Sequence, residues 1–258
     1  MHTRLCGHAT GEPRDYVLAA QQAGLVEIGF SDHNAMPTQF DDWRMGPGQL
    51  PEYIEMIEAV RREFPRYPIR LGLECDFIPG YEEHIRNLAA AADWDYLIGA
   101  VHYVTPGWDI DNPKHLKRWN EQPVEDIWAA YFNAYTKMVE SCLFDFLAHP
   151  DLVKKFGHRP SGDLSRFYLP TLDAVAEAGV ALEISTAGLR KEVHEIYPSR
   201  DFLTAARARH IPIVINSDAH APKEVAYEFD QAYTLARDIG YTEVMRFDKR
   251  KAVPVEIA

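Results

Sequence analysis

The stretch EPRDYVLAAQQAGLVEIGFSDH, residues 12–33, contains one complete unit of the fold. Apolar residues first recur at helical spacing, and Gly24 stops the pattern. The apolar run Leu25 to Phe30 follows directly and has the length of a short buried strand. The run stops at Asp32-His33, so the unit is a helix, then a strand, then a polar end.

Five further apolar runs share this feature, because each one ends near a histidine, glutamate or aspartate. They are Ile69 to Leu73 before Glu74, Tyr96 to Val101 before His102, Phe144 to Ala148 before His149, Val180 to Leu182 before Glu183, and Ile213 to Ile215 before Asp218 and His220. Helical patterns at 53–64, 82–92, 124–142, 169–178 and 201–210 separate the runs. The alternation predicts an α/β fold whose parallel strands present their carboxyl ends on one face.

A barrel-like βα architecture is favoured, because nearly every strand end is polar. In the alternative, a doubly wound open sheet, ligands gather at one switch point. The tail predicts helices at 231–239 and 242–246 and a last strand at 253–257. No linker divides the chain, so residues 1–258 are expected to form a single domain.

The composition narrows the classes of partner. The formal net charge of −12 disfavours nucleic acid, whose backbone is bound mainly through Lys and Arg. No apolar run approaches the roughly 20 residues of a membrane helix, so no membrane contact is expected. Cys6, Cys75 and Cys142 are odd in number and far apart, which disfavours disulfides and CxxC sites and fits a reducing cytoplasm. Nothing in the sequence indicates the oligomeric state.

The polar strand ends carry the ligand types of a metal site. A single histidine there is more often an ordinary hydrogen-bonded residue, and it is the whole set that favours metal binding. Imidazole and carboxylate suit zinc, iron and manganese, and a hydrolytic site needs several of them around an open position for water. Asp218 and His220 are two residues apart, so both can point to one cluster. Glu74 is the predicted bridge between two cations, which in paired sites lie roughly 3.5–4 Å apart.

Six motifs together resemble the PHP (polymerase and histidinol phosphatase) superfamily over almost the whole chain. They are His2-Thr3-x3-Gly7-His8-Ala9, Ser31-Asp32-His33, Gly72-Leu73-Glu74, Gly99-Ala100-Val101-His102, Ala148-His149-Pro150 and Asn216-Ser217-Asp218-Ala219-His220. Within that superfamily, Val153 to Gly157, Gly188 to Lys191 and Ile196 to Ser199 resemble the monofunctional histidinol-phosphate phosphatases. The resemblance implies a distorted (β/α)7 TIM-like barrel that holds three divalent metal ions, with zinc, iron and manganese all acceptable to these ligands.

The resemblance also implies how the ligands are shared among the metals. The family's first strand ends in His-x-His, and His2 matches the second of these histidines, so the first would precede Met1. We expect that the true start lies upstream and that the first strand is truncated here; the alternative is a protein without that ligand. The implied sets are His2, Glu74 and Asp218 for one metal, Glu74, His102 and His149 for a second, and His8, His33 and His220 for the third.

The function implied by the resemblance is phosphomonoester hydrolysis, from L-histidinol phosphate to L-histidinol and phosphate, in histidine biosynthesis. A metal-bound hydroxide would be the nucleophile, with no nucleophile supplied by a side chain. Arg159 and Arg190 follow strand ends and are the candidates for binding the substrate phosphate. Two alternatives stay open: a PHP phosphoesterase of nucleotides or other small esters, and a module that binds phosphorylated ligands without turnover.

The turn-rich segment 105–122 is expected to be an ordered loop over the site. Its aromatic residues either stack on a flat ring of the substrate or pack for structure, and its carboxylates could receive an ammonium group. Glu183 is given no metal, and His158 no role. The residues concerned are Trp108, Asp109, Asp111 and Trp119 on the loop and Trp128 after it.

Overall fold

The computed structural model describes residues 1–257. All six predicted strands are present, and so is every predicted helix up to residue 239. The strands are β1 (Ile28–His33), β2 (Ile69–Asp76), β3 (Tyr96–Ala100), β4 (Tyr103–Thr105), β5 (Trp108–Asp109), β6 (Phe146–Leu147), β7 (Ala181–Ser185), β8 (Ile213–Asn216), β9 (Glu243–Asp248) and β10 (Lys251–Glu256). The helices are α1 (Pro13–Gln22), α2 (Leu50–Glu63), α3 (Glu82–Ala89), α4 (Val124–Glu140), α5 (Ser165–Ala178), α6 (Arg200–Ala208) and α7 (Phe229–Ile239).

The main sheet has the strand order β1-β2-β3-β6-β7-β8, and all its neighbours are parallel. This order follows the chain without a reversal, so the sheet has no switch point and the doubly wound alternative is wrong. The sheet curls into a half-barrel, as the βα prediction requires. The count of seven strands stays a prediction, because six parallel strands lie in this sheet among residues 1–257.

Capping residues fix where the helices begin and end. α1 begins with Pro13, and a capping box joins Glu12 and Asp15, each side chain accepting from the other's backbone N–H. α5 ends at Gly179, whose φ of 67° is the left-handed conformation that glycine adopts without strain. Each glycine after a helix therefore marks the start of the next strand, as it does in the sequence.

The two faces of the sheet bury different sets of residues. In β3, Leu97 belongs to the large core under the helices, whereas Tyr96 and Ile98 belong to a smaller cluster on the other face. The Tyr96 side chain crosses beneath β2 and reaches β1. A Cβ added at Gly72 would lie 2.1 Å from a carbon of the Tyr96 ring, and one added at Gly29 would lie 2.1 Å from the Tyr96 hydroxyl oxygen, so both positions require glycine.

The carboxyl-terminal segment is a β-hairpin. The prediction of a helix at 242–246 is wrong, because these residues lie at the start of β9. The strand predicted at 253–257 is confirmed as part of β10, which pairs with β9 in antiparallel register. Lys249 and Arg250 form the turn with φ of 50° and 63°, so the hairpin has the positive φ values of a two-residue type I′ turn without its usual Asn-Gly.

Among residues 1–257, no helix has both the length and the apolar character needed to cross a membrane.

Candidate metal centre

Glu74 lies at the centre of the polar strand ends and is buried. Its Oε1 lies 3.3 Å from Nε2 of His149 and 3.8 Å from Nε2 of His102. Its Oε2 lies 3.4 Å from Nε2 of His2. The two carboxylate oxygens therefore face two different groups of imidazoles, which is the arrangement that a bridging ligand requires.

Asp218 and His220 come to the same centre from the loop after β8. Oδ1 of Asp218 lies 3.0 Å from Nε2 of His2. The His220 ring stacks on the His2 ring with centroids 4.0 Å apart, and on the His8 ring at 4.5 Å. The backbone also joins the amino-terminal segment to the loop after β8, because His2 N–H donates to the Ala219 carbonyl over 3.0 Å.

All eight predicted ligands lie in or beside this centre, and they form groups whose ligand atoms all lie within 4.8 Å of one another. Two of the groups coincide with the first two predicted sets. The third predicted set differs, because His33 groups with His2 and His220, whereas Cys6 takes its place beside His8 and His220. Among residues 1–257 there are five such groups: His2, Glu74 and Asp218; Glu74, His102 and His149; His2, His33 and His220; Cys6, His8 and His220; and His2, Cys6 and Asp32.

Charged partners behind the ligands fix their orientation. Nδ1 of His102 lies 2.7 Å from Oδ1 of Asp76, and the Arg44 guanidinium donates to the other oxygen of Asp76 over 2.7 Å. All three side chains are buried. With its proton on Nδ1, His102 presents the lone pair of Nε2 towards Glu74.

A second carboxylate stands behind His2. Oδ1 of Asp32 lies 3.4 Å from Nδ1 of His2. The other oxygen accepts hydrogen bonds from the backbone N–H and the hydroxyl of Thr3. Asp32 is thereby fixed on both sides, and its position determines which nitrogen of His2 faces Glu74.

The electrostatics keep Glu74 ionised but act in opposite directions on the imidazoles. Burial opposes the ionised form of Glu74, yet hydrogen bonds from His149 and His2 hold its pKa well below the usual value. Burial and neighbouring imidazoles, chiefly those of His2 and His102, lower the pKa of His33 well below 6.5. Burial also opposes protonation of His102, although Asp76 raises its pKa to about 10. Metals require ionised carboxylates and neutral imidazoles, so a cation bound by His102 would displace the proton from its Nε2.

Unpartnered buried nitrogens add to this fit. Nδ1 of His33 and Nε2 of His220 have no hydrogen-bond partner among residues 1–257, and neither is accessible to solvent. Leaving such groups unpaired is costly unless something else satisfies them. The chemistry of the donor set therefore fits divalent cations of the zinc, iron and manganese type.

Arg190 and Arg159 differ in their surroundings. Nη2 of Arg190 donates to the carbonyls of Ser217 and Asp218 over 2.8 and 3.0 Å, which places this guanidinium beside the metal ligands. Nη1 of Arg190 is buried and has no partner among residues 1–257. Arg159 is exposed and donates to Glu195 over 2.6 Å. Only Arg190 thus contacts the ligand loop and retains an unused donor.

The loop after β3 packs for structure. Trp108, Trp119 and Trp128 are all buried, so they do not offer rings to a substrate. Asp109 accepts from Nε1 of Trp43 over 2.9 Å, and Asp111 pairs with Lys155 over 3.0 Å. Partly exposed Trp43, on the loop after β1, is an aromatic residue that contacts the centre. Its ring meets those of His33 and His102 edge-on at 4.9 and 5.2 Å.

Glu183 and His158 also have structural contacts. Glu183 accepts from the His149 backbone N–H and from Nδ2 of Asn216, both over 2.8 Å, so it ties β6 and β8 to β7. The His158 ring stacks on Trp119 with centroids 4.7 Å apart. Glu183 thus supports His149 through its backbone, and neither Glu183 nor His158 belongs to a group of candidate metal ligands among residues 1–257.

Three residues of the centre were not predicted as site residues. Asp76 lies two positions after Glu74 on one strand, and that spacing places both on the same side. Asp32 stands directly before His33. Cys6 stands two positions before His8, but it is far along the chain from Cys75 and Cys142, so no cysteine pair indicated a site there. Asp76 and Cys6 each lie two positions from a predicted ligand, and this spacing could have indicated that they belong to the centre.

Comparison with known proteins gives consistent matches. The family model of the PHP domain matches residues 1–187. A probable histidinol-phosphatase of Deinococcus radiodurans is 45% identical over 256 residues, covering 98% of this chain and 97% of that protein. The histidinol-phosphatase of Bacillus subtilis is 28% identical, covering 89% and 95%. The crystal structure of a Lactococcus lactis histidinol phosphate phosphatase, complexed with zinc, L-histidinol and phosphate, has a TM-score of 0.81 at 23% identity, covering 98% and 97%, and shows the same fold.

Proposed function

The chain belongs to the PHP domain family, and from this premise we propose that it is a metal-dependent phosphatase that hydrolyses L-histidinol phosphate to L-histidinol and phosphate. The observation that carries the proposal is the convergence of two ligand groups on the two oxygens of Glu74. The curated relatives named as histidinol-phosphatases support the substrate, because their similarity extends over nearly the whole chain.

We propose that the centre holds three divalent cations. The support comes from the first two predicted sets, which share Glu74, and from His8, His33 and His220, which lie beside them in other groupings. Cations bound there would activate a water molecule for attack and offset negative charge on the phosphate oxygens. The chain's own contribution is to keep Glu74 ionised and to orient His102 and His2 through Asp76 and Asp32.

Arg190 is the proposed phosphate-binding residue. Its free Nη1 can donate to an ester oxygen, while Nη2 stays on the carbonyls of Ser217 and Asp218. A planar guanidinium beside metal ligands suits a phosphate dianion better than a flexible ammonium. Arg159 stays a second candidate, and it would have to exchange Glu195 for the ester.

Phosphate release tests the proposal directly. The metal-loaded protein should turn over L-histidinol phosphate with a kcat/KM at least about 100-fold above that for nucleoside monophosphates and an aryl phosphate. Chelation should abolish turnover, and adding back zinc, iron or manganese should restore it. A preference for nucleotides would favour the phosphoesterase alternative. Failure on every ester by metal-loaded protein would favour a binding module without turnover.

The hydrogen bond between Asp76 and His102 gives a second prediction. Asp76→Asn should lower zinc affinity and kcat/KM by about 10- to 100-fold, because an amide no longer holds the proton on Nδ1 of His102 by charge. Equilibrium dialysis and steady-state kinetics measure both. Asp41→Asn is the matched control, since the Asp41 carboxylate also binds Arg44, over 2.7 Å. Equal losses in both variants would mean that Arg44, and not His102, carries the effect.

We extend the proposal to organisation and location. One core cluster runs from Leu5 to Val225, which supports a single domain over residues 1–258. A biosynthetic phosphatase with a small phosphorylated substrate would work in the cytoplasm, as expected from the sequence.

A further inference from the structure

Glu224 follows the ligand loop after β8 and contacts two different parts of the centre. It is the last residue of a short 3₁₀ turn, Pro222–Glu224. Its Oε2 accepts from the His220 backbone N–H over 2.9 Å, and the same oxygen lies 3.5 Å from Nη2 of Arg190. One carboxylate oxygen therefore joins a predicted metal ligand to the proposed phosphate-binding residue.

Three contacts hold the Arg190 guanidinium. Nη2 has two hydrogens, and the Ser217 and Asp218 carbonyls accept from it over 2.8 and 3.0 Å. Glu224 adds the attraction of its charge at 3.5 Å. The guanidinium carbon also lies over the Tyr227 ring, 5.2 Å from its centroid. None of these contacts uses Nη1, which is buried without a partner among residues 1–257, so the guanidinium is fixed while one of its donors stays available.

The backbone around Glu224 has an uncommon conformation. Asp218, Ala226 and Glu228 have φ values of 46°, 57° and 52°, in the left-handed region that residues other than glycine rarely adopt. Residues keep such a conformation only where surrounding contacts fix it. The hydrogen bond from His220 N–H to Glu224 lies between Asp218 and Ala226 and is one of these contacts. We therefore expect the turn to present the Glu224 carboxylate in one position.

We propose that Glu224 is a positioning residue that holds Arg190 for the substrate phosphate and links it to the loop of Asp218 and His220. The inference rests on the proposed function and adds to it a connection between the phosphate site and the metal ligands. The Glu224 charge has two opposite effects on a phosphate dianion, because it repels the dianion and also holds the guanidinium that binds it. Glu224 is 22% exposed, so solvent weakens the repulsion, whereas Arg190 is only 14% exposed and lies at contact distance. Positioning is therefore the larger effect.

Glu224→Gln separates the two effects by the sign of the change. The amide oxygen can still accept from the His220 N–H, so the substitution removes only the charge beside Arg190. The metal-loaded variant should keep its metal content, while kcat/KM for L-histidinol phosphate falls by about 10-fold and the Kd of inorganic phosphate, measured by calorimetry, rises by about 10-fold. Tighter phosphate binding would mean that the carboxylate acts mainly as a repelling charge, and unchanged binding would mean that Arg190 needs no such partner. Either result would overturn the inference.

A double-mutant cycle tests whether Glu224 acts through Arg190. Glu224→Gln introduced together with Arg190→Ala should lower kcat/KM no further than Arg190→Ala alone, whereas independent losses would overturn the positioning role. Tyr227→Leu removes the ring beside the guanidinium and should also weaken phosphate binding. Glu228→Gln is the matched control, because it removes an equal charge four positions further along, where the carboxylate accepts from Gln231. Its kinetics should match the wild type.

The metal content and turnover of each protein separate the outcomes. Loss of metal from Glu224→Gln would mean that the carboxylate supports His220 instead of Arg190, and would overturn the inference. An active wild type with unchanged kinetics in Glu224→Gln would also overturn it and leave the proposed function standing. A metal-loaded wild type that does not hydrolyse L-histidinol phosphate would overturn both.

Discussion

Glu74→Gln should lower phosphatase turnover by more than about 100-fold and release metal from the protein, the largest effect of any substitution proposed for this chain. Gln keeps the size of the side chain but has one neutral oxygen in place of two charged ones. One oxygen of Glu74 faces His2, and the other faces His102 and His149. The single amide oxygen can bind only one of the two proposed metals. One metal position therefore loses a ligand, and the other keeps a ligand without its negative charge.

Metal analysis and steady-state kinetics on L-histidinol phosphate check this expectation. Glu183→Gln is the matched control, because Glu183 is also a buried carboxylate at a strand end but contacts the His149 N–H and Asn216. That variant should keep its metals. Full metal content together with normal turnover in Glu74→Gln would contradict the bridging role.

Arg190→Ala should reduce kcat/KM for the phosphate ester by about 100-fold or more, with metal content unchanged. This substitution removes the Nη1 donor, which has no partner among residues 1–257. The ester oxygen that Nη1 would bind then has no hydrogen-bond donor. The kcat/KM of Arg190→Lys should lie between those of the wild type and Arg190→Ala, because an ammonium keeps the charge but cannot replace the planar pair of donors.

The same guanidinium also holds the Ser217 and Asp218 carbonyls, so metal content must be measured in every variant. Parallel loss of metal and activity would assign Arg190 to the support of Asp218 instead of the substrate. Arg159→Ala, at an exposed ion pair, provides the comparison and should have the smaller effect. Unchanged kinetics in Arg190→Ala would exclude its contact with the ester.

The parallel strands were predictable because each one combines an apolar run with a helix before it and a polar residue after it. β6 is the weakest of them, with two residues, yet the Ala148 N–H still donates to the Gly99 carbonyl and keeps His149 in register. The hairpin at the end was not predictable from the same cues. Its turn residues, Lys249 and Arg250, adopt positive φ, but neither is the glycine or asparagine that would indicate such a turn in the sequence.

The ligands were predictable in kind but not in every grouping. The strand-end pattern predicted that Glu74, His102 and His149 share one face of the sheet, and the resemblance to the PHP superfamily assigned them to one metal. The loop ligands are different, because the approach of His8 to His220 depends on the turn at Gly7 and on backbone pairing across the chain. Asp76 was missed because its importance comes from a partner, His102, in another strand.

The contact between residues 2 and 220 has a consequence for biosynthesis. The His2 and His220 rings stack, and the Thr10 N–H donates to the His220 carbonyl over 2.8 Å. Residues 2 and 10 leave the ribosome long before residue 220 is synthesised. The amino-terminal segment therefore cannot form these contacts until most of the chain has been translated. A metal position that needs both segments is therefore complete only after residue 220 has left the ribosome.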